Sequence, residues 1–230
     1  MNNLSNITAM KKVFLAVVMV LFTVASVAQS AIDVKFKGGI SPDKWKAGET
    51  ASVSISRMPA SVAEFKQLQA LLGVKPEGAV MLQLVAMEMF NRDKTSGKEC
   101  VQLANISNNH YSILSRLPDI FNKADVSYAR PHLVATFFDG ATPENGFNPK
   151  APYTIQVRTR ANRQYERSEM LKGYVLYLEV YSAGYDTAWR GVEVIRQKGS
   201  QYFQVSNSPS MYVQCKDVPF DAKEDYKGLK

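Results

Sequence analysis

Between Gly78 and Arg92 the chain reads GAVMLQLVAMEMFNR, a run in which ten residues are apolar and only Gln83 and Glu88 break the pattern before Asn91. A helix that is apolar on nearly every side must be buried on nearly every side. The run is also too short and too interrupted to cross a bilayer, which takes about 20 consecutive apolar residues. It therefore predicts the central helix of a packed core, with the other elements arranged round it.

The flanking sequence supplies those elements. Pro59 opens a helical section in which Ser61 is a good N-cap and Glu64 completes a capping box. Val62, Phe65, Leu68, Leu71 and Leu72 share one face of that helix, and Gly73 stops it. Lys75-Pro76-Glu77 then starts the central helix, with proline in the first turn. Short helices are expected over Lys98–Asn105 and Tyr111–Asn122, with Pro118 dividing the second.

Strand patterns lie on both sides. Val34 and Phe36 alternate with Lys35 and Lys37, while Ala51, Val53 and Ile55 alternate with Ser52, Ser54 and Ser56. Trp45 falls in the loop between them. After the helices come an apolar segment, Leu133–Phe138, and the alternating Tyr153, Ile155 and Val157. Leu171–Ser182, Trp189–Gln197, Tyr202–Val205 and Met211–Cys215 follow, joined by short turns that imply an antiparallel meander. The expected fold is α+β, with a helical N-terminal half packed on a C-terminal antiparallel β-meander or small barrel. It forms one unit over 29–230, mainly helical over 59–125 and mainly strand over 130–216. Asp139–Pro152, rich in Gly, Pro and Asn, is long for a compact domain and so a candidate functional loop. Asp221–Lys230 is a polar tail expected to fray.

The first 28 residues have the layout of an export signal. Lys11-Lys12 gives a positive start, Val13–Ala25 an apolar stretch, and Ser26-Val27-Ala28 a small-residue cleavage site. Once this leader is removed no transmembrane segment is expected, so the mature chain is read as a soluble periplasmic or secreted protein. Net charge is +7 overall and +5 without Lys11 and Lys12. That balance permits a polyanionic ligand without demanding one, and nucleic acid is not expected.

Motifs for covalent catalysis, metal binding and nucleotide binding are missing. There is no GxSxG, HExxH, P-loop or Rossmann fingerprint. The two histidines, His110 and His132, and the two cysteines, Cys100 and Cys215, have no zinc-like spacing, so neither cofactor nor metal is expected. In an oxidising compartment Cys100 and Cys215 are candidates for a disulfide, or else two separate buried thiols.

Two carboxylates merit inspection as catalytic acids. Glu88 interrupts the most apolar stretch, where burial would raise its pKa. It either serves as a general acid, pairs with a neighbouring cation, or marks a narrow exposed stripe. Gln83, about 140° away round the helix, does not share its face. Asp139 follows an apolar segment and is otherwise a turn residue before Gly140. Two groups suit ligand binding. Arg158, Arg160, Arg163 and Arg167 cluster on a strand and its following loop, and the guanidinium fork suits carboxylate, sulfate or phosphate. Tyr177, Glu179 and Tyr181 lie on the strand face opposite the core, with Tyr185 and Trp189 at the adjoining turn. Flat rings beside carboxylates suit a sugar ring, provided helices do not cover them.

Longer segments carry a resemblance. FKQLQALLGVKPEGAVMLQLVAMEMF, HLVATFFDGATPENGFNPKAPYTIQVRT, YVLYLEV, WRGVEVI and SNSPSMYVQCKDVPFDAKEDY resemble a family of exported proteins from gut-dwelling Gram-negative anaerobes, catalogued as a domain of unknown function. The resemblance spans almost the whole mature chain. It implies export and one shared architecture, and no reaction or site residue. Two functions are carried forward. The first is a non-enzymatic binding or interaction module of the cell envelope with a glycan or protein ligand. The second is a hydrolase of envelope or dietary polymer using a buried carboxylate.

Overall fold

The computed structural model describes residues 30–122, 127–218, 226 and 228–230. The chain divides into two units, Met1–Ala31 and Ile32–Lys230, and the expected leader lies outside the described residues. The second unit runs β1 (Val34–Gly38), β2 (Thr50–Ile55), α1 (Val62–Leu72), α2 (Pro76–Arg92), α3 (Lys94–Ala104), α4 (Ser107–Ile120), β3 (Tyr153–Thr159), β4 (Glu166–Ser168), β5 (Gly173–Tyr181), β6 (Trp189–Ile195) and β7 (Gln204–Asn207). Short 3-10 turns sit at Val134–Phe137, Pro143–Asn145 and Pro209–Met211.

The apolar run folds as its composition demands. Every residue of α2 from Pro76 to Phe90 is buried. It lies between the sheet, where it meets β2, β3, β6 and β7, and the helices α1, α3 and α4. Close approach of α3 depends on Gly97, where a Cβ would stand 2.1 Å from the Phe90 Cα. The α1 N-cap is as expected: the Ser61 hydroxyl accepts from the Glu64 backbone N–H at 3.2 Å.

The seven strands form one open antiparallel sheet in the order β1-β2-β3-β5-β6-β7, with β4 beside β5. Two expectations need correction here. The sheet is not C-terminal alone, because β2 pairs in register with β3, Ala51 opposite Val157 and Val53 opposite Ile155. All four helices are thus inserted between two neighbouring strands. Nor is the sheet a barrel, since β1 and β7 are its two ends. Alternation then sorts its faces. Val53, Ile55, Ile155, Val157, Leu176, Leu178, Val180, Val192 and Val194 are buried towards α2.

Other differences are local. Leu133–Phe138 is a buried turn, 3-10 over Val134–Phe137, in which the Thr136 hydroxyl donates back to the Leu133 carbonyl at 2.7 Å. An unbroken apolar run has no alternation, so sequence alone cannot separate a buried turn from a buried strand. Met211–Cys215 holds no strand, since Pro209 starts a 3-10 turn there. Pro118 lies in the last turn of α4 without breaking it, at the cost of its own N–H to the carbonyl four residues back. The 139–152 loop is tied down by a capping box at Thr142 and Asn145 and by the buried Phe147.

Candidate functional site

The sheet face turned away from α2 carries the predicted binding residues. Strand register brings them together across β3, β5 and β6: Arg158 lies opposite Glu179, Glu179 opposite Gly191, and Tyr181 opposite Trp189. Arg158 Nε donates to Glu179 Oε2 at 2.8 Å, and the guanidinium rests 4.0 Å from the Trp189 ring centroid. Tyr181 meets Trp189 edge-on at 5.6 Å and is 39% exposed. The half-buried Ser52, Ser54, Thr154 and Gln156 continue this polar face towards β1 and β2. There an open cleft of about 400 Å³ is lined by Lys35, Ser54 and Pro152.

Tyr177 behaves differently. It is 5% exposed, packed beside Ile106, Val175 and Ile195, and covered by Arg163, whose guanidinium lies 3.5 Å from the ring centroid. Its hydroxyl accepts from Arg163 Nη2 at 2.8 Å and donates to Glu166 Oε2 at 2.7 Å. Burial, and then the Glu166 carboxylate, push the phenol up to about 12, and the same hydrogen bond holds Glu166 below the ordinary carboxylate range. Tyr177 is therefore a support beneath the face and offers no ring to a ligand. Tyr185 also leaves the array. Its hydroxyl donates to the Val213 carbonyl at 2.9 Å, and its ring faces Phe137 and Arg190.

Beside Tyr177 is a second cleft, of about 170 Å³, lined by Arg160, Gly191, Glu193, Asn207 and Ser210 among others. Asn207 Nδ2 donates to Glu193 Oε1 at 3.2 Å, and Ser210 Oγ donates to the Gly191 carbonyl at 2.8 Å. Sequence reasoning missed this cleft and the acidic residues Glu166 and Glu193, and it placed Glu179 on this face without its arginine partner. Strand register pairs Arg158 with Glu179, 21 residues on, whereas Arg163 and Glu166 are neighbours along the chain.

The candidate catalytic carboxylates lie elsewhere. Glu88 is wholly buried, as is Gln83, so the exposed-stripe reading of α2 does not hold. Glu88 Oε1 accepts from the Leu229 backbone N–H at 2.9 Å, and Asn91 Nδ2 approaches Oε2 at 3.4 Å. Burial raises its pKa to about 7, against the pull of Leu229, Arg92, Asn91 and Tyr226. Segment 228–230, expected to fray, is what closes this site. Gly228, at φ +86, packs so tightly that a Cβ would lie 2.7 Å from Glu88 Oε1, and Leu229 is 3% exposed. Gln83 belongs to a separate buried ladder: Asn105 Nδ2 donates to Gln83 Oε1 at 2.5 Å, and Asn109 Nδ2 to Asn105 Oδ1 at 2.6 Å. Asp139 is exposed and accepts from Gln156 Nε2 at 2.8 Å. Neither carboxylate lines either cleft.

Cys100 and Cys215 are both buried and are not joined to each other by a disulfide, which is the second of the two arrangements expected for them. Cys100 lies on α3 near Arg92 and Lys66, and Cys215 near Tyr185, so the fold puts them in different surroundings. Burial pushes the Cys100 thiol up to about 12, which leaves it inert as a nucleophile. Among the described residues no helix is long and apolar enough to cross a membrane.

Comparison with curated proteins gave no match, and comparison with solved structures gave none. A family described as a domain of unknown function (DUF6935) matches residues 57–219, from just after β2 to beyond β7 and so across helices α1 to α4 and Arg158, Tyr181 and Trp189 of the outer face. By that match over most of its length, the chain belongs to this family of unknown function.

Proposed function

We propose that the protein is an exported, non-enzymatic binding module of the cell envelope, and that the outer face of its sheet takes a glycan or protein ligand. The observation that carries this reading is the Arg158–Trp189–Tyr181 array on the side of the sheet opposite the helices. An open sheet face with an accessible ring, a guanidinium and hydroxyl groups presents stacking area and directed hydrogen bonds together. The export half of the reading rests on the leader-like first 28 residues. Hydrolysis by Glu88 or Asp139 has no favouring observation, since Glu88 is enclosed and Asp139 is held by Gln156.

The test is a binding screen on the chain from Gln29, with neutral glycans, acidic polymers and envelope protein fractions, at low and high salt. The Trp189→Ala, Tyr181→Ala double variant is expected to lose the binding that the wild type shows while unfolding at a similar temperature. Unchanged binding by a folded double variant would remove this face.

A further inference from the structure

We infer that the cleft over Gly191 seats a carboxylated sugar unit, with the carboxylate on Arg160. The inference rests on the reading of the outer face as a binding surface and names the ligand class for its β6–β7 end. Three observations carry it: the shape of the floor, a lining cation with no ion pair among the described residues, and the balance of donors and acceptors.

Gly191 sits within β6 with ordinary strand pairing to Glu179, so the backbone does not require glycine there. A Cβ would meet only Ser210 Oγ, at 3.9 Å, so a side chain would fit but would fill the cleft. Glycine inside a strand weakens it and often marks where something approaches the backbone closely. The space is about 170 Å³, below the ~300 Å³ at which pockets for drug-sized ligands begin. That suits a single ring held against an open face.

The arginines around it are not equivalent. Arg158 is paired with Glu179, Arg163 with Glu166, and Arg167 with Glu169. Arg160 lines the cleft and makes no ion pair among the described residues. Its planar fork suits a carboxylate in two-point contact. Glu193, on the same wall, disfavours a doubly charged phosphate and favours a single negative charge.

The other polar groups have few protons left to give, since Ser210 and Tyr177 have committed theirs and Asn207 one of its two amide protons. Ser210 donates to the Gly191 carbonyl, Tyr177 to Glu166, and Asn207 to Glu193. What they and Glu193 offer a ligand is mainly lone pairs, with one remaining Asn207 N–H. The complement of one cation and several acceptors is one carboxylate on a body rich in hydroxyl donors. A uronic acid has that pattern. A peptide brings backbone carbonyls for which this wall has few free donors.

The experiment is calorimetric titration of the chain with oligogalacturonate, the matching neutral galactose oligomer and poly-glutamate, at low and moderate salt. Wild type, Arg160→Gln, Gly191→Val and Trp189→Ala are compared, each checked by thermal unfolding. We expect oligogalacturonate to bind at least about tenfold more tightly than the neutral oligomer, with the excess lost in Arg160→Gln and weakened by salt. Gly191→Val should abolish uronate binding in a folded protein. Equal binding of both oligomers, unaffected by Arg160→Gln but lost in Trp189→Ala, would overturn the inference and leave the face reading standing. Poly-glutamate binding as well as the uronate would overturn the sugar assignment. No binding of any saccharide would overturn the inference outright, and the face reading would then rest on protein partners.

Discussion

Replacing Glu88 by glutamine should make the protein more stable, relative to wild type, as pH rises. In the native state burial lifts Glu88 from 4.5 to about 7. That is a shift of roughly 2.5 units at about 1.36 kcal/mol each, or about 3 kcal/mol. Because the folded pKa is raised, the contribution is fully present below about pH 4.5. It is lost as pH climbs through about 7, at up to about 1.4 kcal/mol per pH unit. Glutamine keeps the shape and an oxygen for the Leu229 N–H, and it carries no proton to lose. The difference in unfolding free energy between the two proteins should therefore change by about 3 kcal/mol between pH 4.5 and pH 8, in favour of the variant. Urea unfolding followed by the fluorescence of Trp45 and Trp189 reads this directly. With a urea slope of about 2 kcal/mol/M, the midpoint difference moves by on the order of 1.5 M. Charge effects elsewhere cancel in the comparison. A difference that stays constant within about 0.5 kcal/mol across the range would refute the argument and mean that water reaches the Glu88 carboxylate.

Other perturbations test the packing. Gly97→Ala should cost roughly 3 kcal/mol, because the new methyl meets the Phe90 backbone and no side chain can yield; a thermal midpoint within a degree of wild type would contradict this. Asn105→Leu should cost about 2–3 kcal/mol, since it strands buried Gln83 and Asn109, and chemical denaturation measures it. Alkylation before and after unfolding, without reductant, should label neither cysteine in the native chain and both in the unfolded one, as two buried thiols with no disulfide between them require. A mass matching an oxidised pair would contradict that arrangement.

Much of this was legible in the sequence where a periodicity was strong. The Gly78–Arg92 run could only be a buried helix, and the alternation in Tyr153–Thr159 and Gly173–Tyr181 assigned both faces of the central strands. The pairing of β2 with β3 was not legible, because helices α1 to α4 separate the two strands and neither records its partner. Separation along the chain likewise hid the pairing of Arg158 with Glu179. Arg158 reads in the sequence as one of a basic cluster, and its partner Glu179 lies on another strand. Tyr177 and Tyr181 share a parity, yet one is buried and the other exposed; the difference is made by Arg163 and Glu166, which reach over from the preceding loop and edge strand. Glu88 was suspected for its surroundings, and its real partner, the backbone at Leu229, lay in a tail whose polarity suggested fraying.

The central claim is that ligands are taken by the outer face of the sheet. Hydroxyl-radical footprinting tests it most directly, comparing the chain alone with the chain mixed with envelope polysaccharide and with envelope protein fractions. Tyr181 and Trp189 report on the outer face, while Tyr111 and Leu71, 70% and 52% exposed on the helices, serve as internal controls. The account predicts protection of Tyr181 and Trp189 with Tyr111 and Leu71 unchanged. Protection of the helical residues alone, or of none of the four with any fraction, would contradict it.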